Sequence, residues 1–274
     1  MLITVITATY NSAHCVANAI QSVIDQDVFE VEHIIIDGGS SDGTIDIVKR
    51  YSAVKWVSEP DRGVYDALNK GLKIAKGKWI YFLGSDDELT EGCLKRLQPD
   101  FESTTAQVIY GSVRIKASGK LYDGRFSMQK FLTTNVCQQA IFYRDALFRT
   151  SQFDLRFPIA ADYAFNINLL SNKSIEIRYV PLPIAIFDDN GLSGRVVDTR
   201  FLSKKVSLFS KALQKSRFNA FFDSHRHQEA INQILYGSLL LGWTEMLLWS
   251  YRKQVLAKSI YNMLAFTKQR FLQR

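Results

Sequence analysis

Two adjacent carboxylates, Asp86 and Asp87, follow directly on the run Trp79-Ile80-Tyr81-Phe82-Leu83-Gly84-Ser85. Neighbouring like charges repel, and one remedy is a divalent cation. Mg2+ or Mn2+ takes one or two carboxylates and keeps its remaining positions for water and phosphate oxygens. The same Asp-Asp-Glu stretch would equally serve as the solvated, acidic start of a helix. Asp37 closes the β-branched run Val31 to Ile36 and opens the turn Asp37-Gly38-Gly39-Ser40-Ser41-Asp42-Gly43-Thr44. A carboxylate there can accept from a base or ribose, as in dinucleotide folds, or, with Asp42, cap the following helix. Glu59, Asp61 and Arg62 form a third cluster, and Thr7, Ala8, Thr9 and Tyr10 a fourth, rich in hydroxyls. The glycine turn lacks both the G-x-G-x-x-G and the G-x-x-x-x-G-K-[ST] spacings, which removes the main support for a dinucleotide oxidoreductase or a P-loop enzyme.

These clusters share a position: each follows a segment that reads as a strand. Leu2 to Ala8, Val31 to Ile36, Lys55 to Ser58 and Trp79 to Leu83 are short apolar or β-branched runs. Helical spacing appears between them, at Val16, Ala19, Ile20 and Val23, at Ile45, Val48 and Tyr51, and from Val64 to Ala75. Alternation of this kind predicts a mostly parallel α/β sheet, whose ligands bind beyond the carboxyl ends of the strands. The pattern changes after about residue 107. Val108 to Lys116 and Leu121-Tyr122 read as a hairpin, Gln139 to Tyr143 as a strand, Asp162 to Leu170 as a helix, and Ile175 to Ile186 as an extended segment interrupted by Pro181 and Pro183. From Thr199 onward the pattern is helical.

The chain has 274 residues, 47% of them hydrophobic and 22% charged, which is globular composition and excludes disorder and a disulfide-stapled mini-protein. Its net charge of +7 is uneven. Residues 1 to 199 carry 21 Lys+Arg against 24 Asp+Glu, whereas residues 200 to 274 carry 13 against Asp223, Glu229 and Glu245. A basic segment that is also rich in Leu, Phe, Trp and Tyr calls for an anionic partner, a membrane surface or nucleic acid. Cys15, Cys93 and Cys137 are odd in number and widely spaced, which suggests a reducing compartment and no zinc site. The isolated His14 and His33, and His225 and His227 two apart, make no metal site either. MLITVITATYNSAH has no basic region followed by a long apolar one, so it does not read as a signal peptide.

In order and spacing, the runs ITATYNSA, IIIDGGSSDGT and SEPDRGVYDALNKGLKIAKGKWIYFLGSDDEL resemble the family 2 glycosyltransferases, inverting enzymes of the GT-A fold that use nucleotide sugars in bacterial polysaccharide assembly. The resemblance is specific over residues 1 to about 90 and continues more weakly to about 195. It implies a GT-A catalytic domain over 1–198, divided into a nucleotide-sugar half (1–106) and an acceptor half (107–198), followed by a basic helical extension over 199–274. It also implies that Thr7, Ala8, Thr9, Tyr10 and Asp37 hold the base and ribose, that Asp61 and Arg62 close over the base and diphosphate, and that Asp86 and Asp87 bind Mn2+ or Mg2+, Asp87 most directly. Ser85 stands where the family often has another Asp. Pro158-Ile159-Ala160-Ala161-Asp162-Tyr163 matches the family's base motif with Ala161 in place of Glu, leaving Asp162 as general base. An inverting displacement needs one, because the acceptor hydroxyl must lose its proton. An N-cap role for Asp162 on the next helix would be compatible with that. Gln138 and Gln139 match acceptor-facing positions, and Phe187 to Ser193, with Asn190 and Ser193, matches the loop over the nucleotide sugar. No Gln-x-x-Arg-Trp signature of processive synthases occurs, so transfer of a single sugar is expected.

Arg252 to Arg274 places Val255, Leu256, Ile260, Met263, Leu264 and Phe271 on one helical face, with Trp243 and Trp249 upstream. By pattern this stripe suits membrane docking and packing on the body equally. The resemblance tips the expectation toward an anionic membrane surface reached through residues 243–274, a saccharide acceptor on polyprenyl diphosphate, no nucleic acid, and a cytoplasmic enzyme at the inner face of the plasma membrane. Two other classes were set against this: a sugar nucleotidyltransferase, which needs a Gly-rich triphosphate loop with Arg and Lys that ITATYNSAH does not offer, and a nucleic-acid-binding protein acting through the basic tail.

Overall fold

Residues 3–28, 30–122, 124–169, 172, 174–191, 195–212, 264 and 267 are described by the structure, a computed structural model. Strands β1 (Ile3–Thr9), β2 (Val31–Asp37), β3 (Val54–Ser58) and β4 (Trp79–Phe82) lie parallel in the order β3-β2-β1-β4, joined by helices α1 (Val16–Ile24), α2 (Thr44–Val48) and α3 (Val64–Ile74). The chain steps outward from β1 to β3, and α3 then returns it across β1 to β4. The topological switch point, where an open sheet offers a crevice, therefore lies between β1 and β4.

Beyond β4 the sheet, nine-stranded among the described residues, becomes mixed. β5 (Glu88–Leu89), β6 (Val108–Ile115), β7 (Leu121–Tyr122), β8 (Ile141–Arg144) and β9 (Ile177–Phe187) continue it as β4-β8-β6-β9-β5, with β7 on β6. β8 is antiparallel to both neighbours, while β6 and β9 are parallel. Helices α4 (Cys93–Ser103), α5 (Met128–Thr133), α6 (Ala146–Thr150), α7 (Ala161–Leu169) and α8 (Thr199–Ala212) complete the α/β layers.

The period-two alternation of β4 divides the core. Ile80 and Phe82 face a cluster with Tyr65 and Leu68 of α3 and with Phe148, Phe153 and Phe165, whereas Trp79 and Tyr81 face α1 and α4 through Ala19, Val23, Leu97 and Phe101. α8 begins where the sequence expects the extension to begin, yet it packs on the body: Phe201 and Phe209 lie 4.9 and 6.1 Å from the Tyr163 ring, centroid to centroid. Among the described residues no helix is long and apolar enough to cross a membrane. Apart from Leu264 and Thr267, which are helical, the amphipathic tail expected to dock on a membrane lies outside the described residues, as do His225 and His227.

Three expectations are corrected. β9 is one strand that runs through Pro181 and Pro183, and the prolines interrupt its pairing instead: between Tyr179 and Ala185 it bulges against Tyr110, Ser112 and Val113 of β6. Gln138 to Ala140 form a 3-10 turn, so the strand starts at Ile141. Asp162 does not cap a helix. It is the second residue of α7, with its carboxylate turned inward.

Candidate active site at the carboxyl edge of the sheet

The ends of β1, β2 and β4 meet at the switch point. After β1, Ser12 Oγ lies 3.0 Å from Ser85 Oγ after β4, so the serine in the acid motif ties the two loops together. At the end of β2, Asp37 is fully buried and its two oxygens accept five hydrogen bonds, from the Thr9, Ser40 and Ser58 hydroxyls and the backbone amides of Gly39 and Ser40. These donors hold its carboxyl below the usual range against the opposing effect of burial. Asp37 thereby fixes the Gly38–Ser40 turn. A side chain at Gly38 would stand 2.6 Å from Asp61 Oδ2, so this glycine is what lets Asp61 lie over the turn. Tyr10 is exposed beside it, while Thr7 turns inward to His33 at 3.0 Å. Asp42 is not the N-cap of α2, which is Gly43; it stands one residue earlier and accepts from the Thr44 amide at 3.0 Å.

Asp87 is 1% exposed. Burial, and after it the charge of Asp86, pushes its carboxyl up to about 8. Asp86 is raised as well, chiefly by burial and with a contribution from the Asp188 charge. Gly84 makes this fold possible, because a Cβ there would meet Asp87 Oδ2 at 2.3 Å and Asp86 Oδ1 at 2.8 Å. Pairing of β5 with β9 brings in the loop after β9, where the Asp188 amide donates to Asp87 Oδ1 at 2.8 Å. Lys116, after β6, binds Glu88 at 2.9 Å and supplies the nearby positive charge. An all-oxygen set with this proton affinity suits a hard divalent cation. Among the described residues no group of three or more His, Cys, Asp or Glu is arranged for a metal.

Asp162 lies in a cleft of about 630 Å³ that is also lined by Asn135, Gln138, Gln139, Phe187 and Asp189. It is 7% exposed and accepts from Tyr65 and Asn135. Burial raises its carboxyl, and these hydrogen bonds, with the Tyr163 amide, work against that rise. The loop after β9 joins the two sites: Phe187 and Asp189 line the cleft, and Asp188 between them binds Asp87.

The structure thus brings together Asp86, Asp87 and the loop of Asn190, and separately Asp162, Gln138 and Gln139. It leaves the Arg62 side chain on the surface, paired at 3.2 Å with Asp66, and turns the Asn190 amide back to Asp188. Ser193 lies outside the described residues. Ser12, Lys116, Tyr65 and Asn135 were missed as site residues. Ser12 and Tyr65 lie within the family-like runs, and nothing local marks Lys116 and Asn135.

An open sheet with acids at its switch point, a carboxylate pair behind β4 and a buried acid opening a later helix define a glycosyltransferase of the GT-A fold. The chain belongs to glycosyl transferase family 2, whose model matches residues 4–174. It is 34% identical over 213 residues, covering 74% of this chain and 83% of the relative, to a PGL/p-HBAD biosynthesis glycosyltransferase of Mycobacterium tuberculosis. Staphylococcus aureus TarS 1–349 in complex with UDP superposes with a TM-score of 0.65 at 18% identity, over 100% of this chain and 92% of that one. Mannosyltransferase PcManGT of Pyrobaculum calidifontis, in complex with GDP-Man and Mn2+, gives 0.62 at 16%, over 99% and 87%. The protein is therefore a glycosyltransferase.

Proposed function

We propose that this enzyme transfers one sugar, with inversion and without processive elongation, from a nucleoside-diphosphate sugar to a hydroxyl of a saccharide acceptor carried on a polyprenyl diphosphate. The observation that carries the reading is the loop after β9, which touches the Asp87 carboxylate on one side and lines the Asp162 cleft on the other. Donor and acceptor would meet across it. Thr7 to Tyr10 and Asp37 serve the base and ribose, Tyr10 by its exposed ring, and Asp61 and Arg62 close over the diphosphate. Asp86 and Asp87 would hold Mn2+ or Mg2+, a use of the carboxylate pair in keeping with the Mn2+ in the PcManGT structure. When bound, the cation neutralises charge on the departing diphosphate.

Asp162 takes the proton from the acceptor hydroxyl as that oxygen bonds to the anomeric carbon. The bond from the same carbon to the diphosphate breaks on the opposite face, and the nucleoside diphosphate leaves. Gln138 and Gln139 line the approach of the acceptor, and Asn190 and Ser193 belong to the loop over the donor. The basic residues of the C-terminal extension, through 243–274, would hold this site at an anionic inner membrane face, without nucleic acid. The GT-A domain would span 1–198, and α8 would fasten the extension to it.

The test is Asp162→Asn, with nucleoside-diphosphate binding followed by calorimetry and transfer followed with labelled donor. Binding is expected to stay nearly intact while turnover falls more than tenfold, a loss above ~1.4 kcal/mol. Turnover within tenfold of wild type overturns the base assignment.

A further inference from the structure

The Asp162 carboxylate is gripped from two sides by uncharged donors from different parts of the chain. Tyr65, on α3, donates to Oδ1 at 2.7 Å and shares the proton with the Ile159 carbonyl at 2.9 Å. Asn135 donates its amide to Oδ2 at 2.6 Å. Behind it, Asn135 Oδ1 accepts from Asn166 at 3.4 Å, and Asn166 Oδ1 accepts the Tyr143 hydroxyl proton at 2.8 Å. Tyr65, Tyr143 and Asn166 are all buried. The direction of this chain is set at the carboxylate: the Asn135 amide must face it, so Asn135 Oδ1 faces the Asn166 amide and Asn166 Oδ1 receives the Tyr143 proton. The reverse arrangement would set a carbonyl oxygen against a carboxylate.

We propose that Tyr65 and Asn135 are positioning residues that hold Asp162 ionised and aimed at the acceptor, with Asn166 and Tyr143 orienting Asn135. The proposal rests on Asp162 being the base and adds what controls it. Each oxygen takes one fixed side-chain donor and the Tyr163 amide adds another, which leaves the remaining lone pairs for the incoming hydroxyl. Tyr65 also ties the two halves of the site. The helix that carries it starts at Val64, directly after Asp61, Arg62 and Gly63 beside the glycine turn, so the nucleotide side holds the base through one hydroxyl.

Other ionisable groups lining the cleft are Tyr122, Cys137, Tyr163, Asp189, Asp198 and Lys205. The experiment follows the Asp162 carboxyl carbon by NMR in the full chain labelled with 13C-aspartate, the resonance assigned by its loss in Asp162→Asn. Tyr65→Phe and Asn135→Ala are each expected to move its titration to higher pH, the double variant further, and Tyr143→Phe less. Phe153→Leu loosens the same core beside the Tyr65 ring, 5.2 Å away, and is expected to leave the titration in place. A purely structural role would instead lower thermal stability without moving it. An unshifted titration in folded Tyr65→Phe and Asn135→Ala overturns the proposal. If Tyr65→Phe fails to fold, the partly exposed Asn135 decides alone. The titration is independent of turnover, so retained transfer in Asp162→Asn would sink the base reading without touching this result.

Discussion

Asp87 and Asp162 are both carboxylates buried almost completely, yet their surroundings differ in kind. Asp87 has acids for neighbours and a single amide donor, and its carboxyl rises to about 8. Asp162 has two side-chain donors that favour its charge. The first environment suits a group that trades its proton for a cation; in the second, fixed donors favour the charged form against the rise that burial imposes. Asp87→Ala should therefore remove the part of nucleotide binding that depends on Mn2+, while Asp162→Asn keeps it. Calorimetric titration of UDP and GDP with Mn2+ and with EDTA checks this, and equal affinities under both conditions in the wild type would refute the metal role.

At the scale of elements, the first ninety residues were legible because β1, β2 and β4 are buried on both faces and read as continuous apolar runs, with chemistry confined to their ends, while the edge strand β3 is exposed beyond Val54. The acceptor half was less so. β5 is two residues long and has no pattern to find, and β9 carries two prolines at which it bulges against β6. The grip on Asp162 joins residues 97 and 27 positions apart, a relation no local spacing carries. His33 on β2 is a second contact of this kind. Burial pushes its imidazole down to about 3, so the folded chain refuses a proton that the unfolded chain binds below its ordinary value near 6.5. Stability should then fall as pH drops from about 6.5 toward about 3, by roughly 2 to 3 kcal/mol by pH 4.5 from this group. Urea midpoints of wild type and His33→Gln at pH 7 and pH 4.5 test it, since equal losses would mean that His33 is not the source. Within β4, Phe82 packs on Phe148 and Phe153 at 5.6 and 5.1 Å, and Phe82→Ala should cost about 3 to 5 kcal/mol in the same assay.

At the scale of the molecule, the net charge of +7 separates into an acidic body and a basic extension. Asp37, Asp61, Asp86 and Asp87 of the body stand at the carboxyl edge of the sheet, where the proposed donor and cation would be held. α8 is seated on α7 through Phe201 and Tyr163, so the extension starts beside the helix that carries Asp162. Asp198 reinforces the join, accepting from the amides of Ile159 and Ala160 ahead of α7 and from Phe201 in α8. Deleting residues 252–274 should move the protein from the membrane to the soluble fraction while leaving nucleotide binding unchanged. Unaltered partitioning would assign the tail to packing.

The central claim, single-sugar transfer with inversion from a nucleotide sugar, is tested most directly by the product. The full chain would be incubated with labelled UDP-, GDP- and dTDP-sugars and a bacterial membrane lipid extract, and the glycolipid formed would be sized and its anomeric configuration read by NMR. The account predicts one added sugar per acceptor, of configuration opposite to that in the donor, and none with Asp162→Asn. A ladder of added sugars, a retained configuration, or equal product from Asp162→Asn would contradict it.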